Sequence, residues 1–343
     1  MSVIEDILTG GRDRRVYSAA AWSVGGPAGP LERGWTGTRS WDGPALDGDE
    51  SWDLASVTKP IVGLAVMALA ERGALTLDDT VGAHLPGWRG GDKAELTVRQ
   101  LLTHTSGIPG QVPLYREHST RAALLDALRL LPPTAAPGTR VQYSSQGFIV
   151  LGLIAAAAAG RPLDELVDEL VCAPLGMRHT VFRPGPGLRA RAVATEDCPW
   201  RGRTVVGEVH DENAVVLGGV GGHAGLFSTL ADMERLGAAL TDGGRGILRP
   251  ATLALMASAH TDQLTLRRAL AWQGRDPTGS PAGTVFGPDS YGHTGFVGTS
   301  LWIDPAAGRY AVLLTNRVHP SRDGDGITPL RRSFHDAAAV LPG

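Results

Sequence analysis

Ser56 and Lys59 stand three residues apart in the stretch Ser56-Val57-Thr58-Lys59. The chain carries 32 basic residues, and only Lys59 and Lys93 among them are lysine. Positive charge is otherwise written as arginine, which keeps its proton inside a protein, whereas a lysine amine can lose it. Residues three apart on a helix share a face, so a neutral amine at 59 could accept the hydroxyl proton of Ser56 and make it a nucleophile. The tetrapeptide alone is equally compatible with a serine-capped helix start and a solvated lysine.

The elements that must position this pair come next. Pro60 to Arg72 is apolar on nearly every face and stops at Gly73, which predicts a buried central helix. Pro60 is tolerable in its first turn, where the missing N–H has no partner anyway. Ser56 would then sit at the helix N-terminus, where the dipole favours developing negative charge. Val3 to Leu8 reads as a short helix, and Arg15 to Val24 and Leu31 to Thr38 as strands around a Gly-Pro turn. Helices are expected at 98–102, 120–130, 146–159, 162–172, 230–241 and 328–340. Residues 298–303 and 309–314 flank a turn and read as an antiparallel hairpin. Strands at both chain ends with helices between them suggest an α/β (α+β) fold: an antiparallel sheet flanked by helices, with an inserted mainly helical domain. The expected division is a split α/β domain at 1–74 and 203–343 around a helical domain at 75–202.

Three ordered motifs then line up. They are Ser56-Val-Thr-Lys59 with Leu101-Leu-Thr-His-Thr-Ser-Gly107 behind it, Tyr143-Ser144-Ser145, and His293-Thr294-Gly295 with a strand directly after it. In this the chain resembles the serine hydrolases related to class C β-lactamases, low-molecular-weight penicillin-binding proteins and their esterase cousins. The resemblance covers nearly the whole chain and implies a β-lactamase/transpeptidase-like fold. It implies Ser56 as nucleophile, with Lys59 and Tyr143 handling protons, either of them being the base. The oxyanion would lie between the N–H groups of Ser56 and Phe296. Ser145, His293, Thr294 and Gly295 would line the substrate cleft. Two positions depart from the pattern. Ser145 stands where relatives often have asparagine, and His293 stands where β-lactamases prefer lysine. A histidine near its ordinary pKa of about 6.5 is mostly neutral at pH 7 and would hold a substrate carboxylate weakly. Arg317, after a predicted strand, is the candidate to take that role.

The segments His210-Asp-Glu-Asn-Ala214 and Gly222-His223-Ala-Gly-Leu-Phe-Ser-Thr229 make a second polar cluster. They read as a hydrogen-bonded loop or as a wall of the cleft, with His210 and His223 as its candidates. With no His-Glu-x-x-His and no cysteine pairing, no metal and no cofactor is expected. Within the family these segments look like a subgroup that includes amidases releasing L-alanine-linked peptides from N-acetylmuramic acid. His104 is expected to be a buried hydrogen-bonding residue, and Trp52 is the tryptophan expected to touch substrate.

Bulk properties narrow the class. With 343 residues, 43% of them hydrophobic and 20% charged, the chain has ordinary globular composition. A net charge of −3 with mixed signs leaves no footprint for nucleic acid. Residues 148–159, the longest apolar run, are too short to span a bilayer, so no membrane span is expected. The start lacks a basic segment followed by an apolar core, which points to the cytoplasm, and Cys172 and Cys198 are expected to be reduced thiols. The expected function is therefore a serine hydrolase acting on a small-molecule ester or amide, with a muramoyl-L-alanine-type fragment as candidate. The alternatives are a small-molecule esterase and a non-catalytic member that binds a cell-wall fragment or a protein partner.

Overall fold

Both ends of the chain meet in one antiparallel sheet. The computed structural model describes residues 2–342. Its strands are β1 (Ala19–Gly26), β2 (Gly29–Gly37), β3 (Trp52–Asp53), β4 (Val181–Phe182), β5 (Ala194–Cys198), β6 (Arg203–Val206), β7 (Leu226–Ser228), β8 (Gln273–Gly274), β9 (Tyr291–Thr294), β10 (Ser300–Asp304) and β11 (Arg309–Thr315). The main sheet runs β2-β1-β11-β10-β9-β8. The N-terminal hairpin joins the C-terminal one through β1 and β11, with Ala20 opposite Thr315 and Gly25 opposite Tyr310. A small sheet, β3-β7-β4, lies beside the Ser56 segment, and β5 and β6 form a separate hairpin.

Successive side chains on a strand point to opposite faces, so the continuous apolar runs of β1, β10 and β11 give the main sheet two buried faces. On one face Trp22, Trp302, Ala311 and Leu313 pack with Ile4, Leu8, Leu330 and Phe334. These last four come from α1 (Val3–Asp13) and the C-terminal helix Ile327–Ala339. On the other face Leu301, Ile303, Tyr310, Val312 and Leu314 join the large core built around α2 (Thr58–Glu71) and the helix Leu230–Thr241. The result is the mixed α/β arrangement that the sequence suggests, a helix-flanked antiparallel sheet.

α2 is buried from Thr58 to Leu69, as its all-round apolar sequence requires. The helix ends at Gly73, whose φ of 73° lies in the left-handed region. Elsewhere the boundaries shift. α1 runs to Asp13 rather than stopping at Leu8, because Ile4, Leu8 and Gly11 continue one buried stripe. β1 starts at Ala19 rather than Arg15, since Arg15 has a φ of 59° and turns the chain after α1. The stretch expected as one helix over 162–172 is a short α-helix, Leu163–Val167, followed by wider turns at Asp168–Cys172. The helix Pro250–Ala257 was not expected; its apolar run carries no polar alternation to mark it. Among the described residues no single helix is long and apolar enough to cross a membrane. Cys172 and Cys198 are buried free thiols.

Candidate active site

Ser56 is presented by a strained turn. β3 ends at Asp53, whose buried carboxylate accepts the Ala55 N–H through Oδ1 at 2.7 Å and the His210 N–H through Oδ2 at 2.7 Å. Burial pushes the Asp53 carboxyl above its ordinary pKa, and the two N–H groups oppose that shift only in part. Ala55 adopts a left-handed φ of 46°. For an alanine this costs about 1–2 kcal/mol, so it persists only where its surroundings impose it. A 3₁₀ turn, Ala55–Val57, then runs into α2, so Ser56 lies just ahead of the helix rather than within its first turn.

Lys59 is fully buried one turn later. Its Nζ lies 3.0 Å from Ser56 Oγ and 3.0 Å from the carbonyl oxygen of His223. Neither partner is a carboxylate. The His223 ring is held by Asp211, with Nε2 2.9 Å from Oδ1, and the same Oδ1 accepts the Ala214 N–H at 2.8 Å. Burial alone would raise the Asp211 carboxyl, but His223, that N–H and nearby Lys59 outweigh it and hold it well below the usual range.

Tyr143 precedes the helix Ser145–Ala159, and its ring centroid lies 4.8 Å from Lys59 Nζ. Its loop is shaped by His104, which has a φ of 58° and whose Nδ1 accepts the Ser144 N–H at 3.1 Å. Burial, then the neighbouring cations Arg268 and Lys59, pushes the His104 pKa well down, so its ring is neutral and structural.

The third segment closes the site from β9. His293 Nδ1 lies 2.8 Å from the Thr294 carbonyl oxygen. Burial first, then Lys59 and Arg268, pushes the His293 pKa down to about 3. After the strand, a Cβ at Gly295 would stand 2.0 Å from Thr299 Oγ1 and 2.6 Å from the Leu54 carbonyl oxygen, so no side chain fits there. Thr299 Oγ1 donates to that carbonyl at 3.0 Å and stitches the segment to the nucleophile turn. Buried Arg331 donates through Nη2 to the carbonyls of Gly295, at 2.6 Å, and Thr299, at 2.8 Å. The turn fixed in this way carries Phe296, whose N–H has no hydrogen-bond partner among the described residues.

Ser56, Gln111 and Phe296 border two cavities. The larger, about 780 Å³, is lined by Tyr143, Arg268, Gln273, His293, Thr294, Arg317 and the 324–331 segment. The smaller, about 230 Å³, is lined by Tyr115, Ser145, Gln146, His210, Asp211 and Arg322. Phe296, 44% exposed, stands between them against the Arg317 guanidinium, 4.4 Å from its ring centroid. A serine bonded to a buried amine, an unpaired N–H beside it and room on either side make up the parts of an acyl-transfer site.

Residues 4–335 match the model of the family described as Beta-lactamase. The chain belongs to the beta-lactamase family. It is 30% identical over 329 residues to the Escherichia coli K12 protein named "Putative D-alanyl-D-alanine carboxypeptidase", covering 84% of this chain and 75% of that one. Among solved structures it resembles EstCE1, described as a hydrolase with promiscuous acyltransferase activity, with a TM-score of 0.80 at 24% identity over 98% of this chain and 97% of that one. The octameric penicillin-binding protein homologue from Pyrococcus abyssi superposes with a TM-score of 0.77 at 20% identity, over 96% and 75% of the two chains. These structures share the fold, and the family makes the protein a serine hydrolase.

In this beta-lactamase-family chain the structure brings Ser56, Lys59, Tyr143, Ser145, His210, His293, Thr294, Gly295 and Phe296 to one cleft. His223 lies behind it, 1% exposed, and touches Lys59 through its carbonyl rather than facing substrate. Trp52 is a correction: at 2% exposure it packs in the core and lines neither cavity, because β3 pairs it with Ser228. Arg317 borders the larger cavity, with its Nε held by the Phe296 carbonyl and its Nη1 by the carbonyls of Arg322 and Gly324. Glu196, Cys198 and Glu212 approach one another closely enough to suggest metal ligands. Arg322 already occupies both carboxylates, so the trio reads as an ion-pair cluster. Sequence reasoning assigned no role to Asp53, Asp211, Arg268 or Arg331. Asp53, three residues ahead of the serine, and Asp211, in the polar 210–214 segment, carried a local signal, and the two arginines carried none.

Proposed function

We propose that this protein hydrolyses an amide whose leaving group carries a carboxylate, of the cell-wall peptide type, through an acyl-enzyme on Ser56. The observation that carries the reading is Arg268. It lies in the wall of the larger cavity, 7% exposed, with its guanidinium carbon 5.9 Å from the Tyr143 ring centroid. Its guanidinium makes no hydrogen bond or ion pair among the described residues, and its Nε is buried without a partner. A buried, unpaired guanidinium is costly unless a ligand anion completes it, and a carboxylate matches its fork. Arg268 thereby supplies the cation that neutral His293 does not.

The chemistry follows from the contacts. With Lys59 neutral, one N–H goes to the His223 carbonyl, and the amine lone pair is left for the Ser56 hydroxyl proton. Ser56 Oγ attacks the carbonyl carbon, and the N–H groups of Ser56 and Phe296 receive the oxyanion. Tyr143 shares the larger cavity with Arg268, so it is placed to pass a proton to the departing amine. Water then releases the acyl group by the reverse proton path. The muramoyl-L-alanine bond and the terminal D-alanine bond both free an alanine carboxylate in this way.

The test is release of free alanine from N-acetylmuramoyl-L-alanine and from a D-alanyl-D-alanine-terminated peptide, together with the mass of Ser56 after a fluorophosphonate probe. An adduct on Ser56, alanine from one of the two substrates, and a loss of about 10⁴-fold or more in Ser56→Ala are expected. Turnover that survives in Ser56→Ala would overturn the proposal. So would an enzyme that labels on Ser56 but releases alanine from neither substrate.

A further inference from the structure

The smaller cavity differs in character from the larger one. Asp211 stands in its wall with a side chain 34% exposed. Both of its hydrogen bonds, to the Ala214 N–H and to the His223 ring, fall on Oδ1. Oδ2 therefore offers an unengaged carboxylate oxygen to the pocket that holds Ser56. Gln146 lines the same wall and is fully buried. Its Nε2 donates to the Val112 carbonyl at 2.7 Å, and its Oε1 has no partner among the described residues. That Oε1 is sealed from the cavity, so Asp211 Oδ2 is the idle acceptor that borders it beside Ser56.

The cations in that wall do not fill the gap. Arg322 is tied to Glu196 and Glu212. Arg116 lies exposed, its guanidinium carbon 5.9 Å from the Tyr115 ring centroid. Glu212 is paired with the guanidinium of Arg322, whereas the side-chain partner of Asp211 is a histidine ring, so Asp211 is the carboxylate of the pocket without an arginine on it.

We propose that the smaller cavity is an acyl-group subsite for a primary ammonium, held by Asp211 Oδ2. The proposal rests on Ser56 being the acyl-forming nucleophile. Asp211 stays ionised because its carboxyl is held well below the usual range, so the subsite keeps its charge through neutral pH. With Arg268 on the other side of Ser56, the preferred substrate carries an ammonium on the acyl side of the scissile bond and a carboxylate on the leaving side. Among cell-wall fragments that favours a peptide with a free amino group over a muramoyl acyl group.

The experiment compares methyl esters that differ only in replacing a terminal CH₃ by NH₃⁺: methyl glycinate against methyl propanoate, methyl 4-aminobutyrate against methyl pentanoate, and methyl 6-aminohexanoate against methyl heptanoate. In the wild-type enzyme at least one ammonium ester should show a kcat/KM about tenfold or more above its neutral isostere. For methyl glycinate the preference should fade as pH rises through the α-amino range of about 7.7–8.0, where the ammonium is lost. Asp211→Asn keeps an Oδ1 acceptor for Ala214 and His223 and removes the charge, which acts alike on both esters of a pair through His223 and Lys59, so the ammonium-to-neutral ratio should drop about tenfold. A wild-type ratio at or below unity in every pair overturns the subsite, even if Asp211→Asn does not fold. A ratio that survives in Asp211→Asn overturns it too. Ser56 labelling and p-nitrophenyl butyrate turnover are followed in parallel. Their presence without ammonium preference removes this inference alone, and their absence removes the hydrolase reading together with it.

Discussion

The Ala55 N–H donates to Asp53 Oδ1 at 2.7 Å, and this bond holds the residue before Ser56 in left-handed backbone. The other oxygen of Asp53 takes the His210 N–H, so one buried carboxylate ties the nucleophile turn to the wall of the smaller cavity. Asp53→Ala should orphan both N–H groups, lowering stability by about 2–4 kcal/mol and kcat with it. Ala55→Gly should be neutral or slightly stabilising, because glycine pays no left-handed penalty. Denaturant midpoints of the two variants check this, and an Ala55→Gly protein weakened by more than about 1 kcal/mol would show that the turn is unstrained.

Arg331 is expected to act on the reaction through backbone. It holds the carbonyls on either side of the Phe296 turn, although burial pushes its own pKa down to about 9. Arg331→Met should lower kcat by about 10²–10³-fold, the loss seen when one oxyanion donor is displaced, with a much smaller change in KM. Steady-state kinetics on p-nitrophenyl butyrate separates the two. Unchanged kcat in a folded variant would remove Arg331 from the oxyanion machinery.

Arg268 should sort substrates by charge. In Arg268→Met the ratio of kcat/KM for a carboxylate-terminated amide over its methyl-ester counterpart should fall by about 10–100-fold, as a charge-assisted hydrogen bond worth about 1.5–3 kcal/mol is lost. An unchanged ratio would mean that the leaving-group carboxylate binds elsewhere.

Acid should weaken the fold before carboxylate protonation does. Burial holds His293 down to about 3 and His335 down to about 4, and it pushes His104 well down. The unfolded chain takes up these protons near pH 6.5 while the native state refuses them, so stability falls as pH drops from about 6.5 toward about 4. Each histidine contributes up to about 1.4 kcal/mol per pH unit. Glu196 acts lower. Burial would raise it, but hydrogen bonds from His210 and Arg322 hold it at about 2, so its contribution is lost only between about 4.5 and about 2. Thermal melts between pH 7 and pH 5 should show the first slope, and His335→Gln should flatten it. An equally steep slope in that variant would place the protons elsewhere.

Local chemistry was legible along the chain. The spacing of Ser56 and Lys59, the apolar helix after them, the tyrosine and histidine motifs in order and the strands at both ends are properties of neighbouring residues and of periodicity, which a sequence displays directly. Arg268, Arg331, Asp211 and Asp53 were not legible as partners. Their roles depend on contacts such as Asp53 to His210, 157 residues apart, or Arg331 to Gly295, 36 apart. Trp52 was misplaced for the same reason, since nearness to Ser56 along the chain says nothing about which face of β3 a side chain takes.

By itself the sequence determined the spacing of Ser56 and Lys59 and the order of the three segments that surround them, because side-chain chemistry and helical spacing are local. Only the tertiary structure decided the surroundings of that pair. It handed Lys59 to a backbone carbonyl 164 residues away and buried His293 until it stayed neutral. It also brought the Arg268 guanidinium and Asp211 Oδ2, each without a hydrogen-bond partner among the described residues, to the two cavities that Ser56 borders. Desolvation and long-range pairing set those properties, and both exist only once distant segments have packed together.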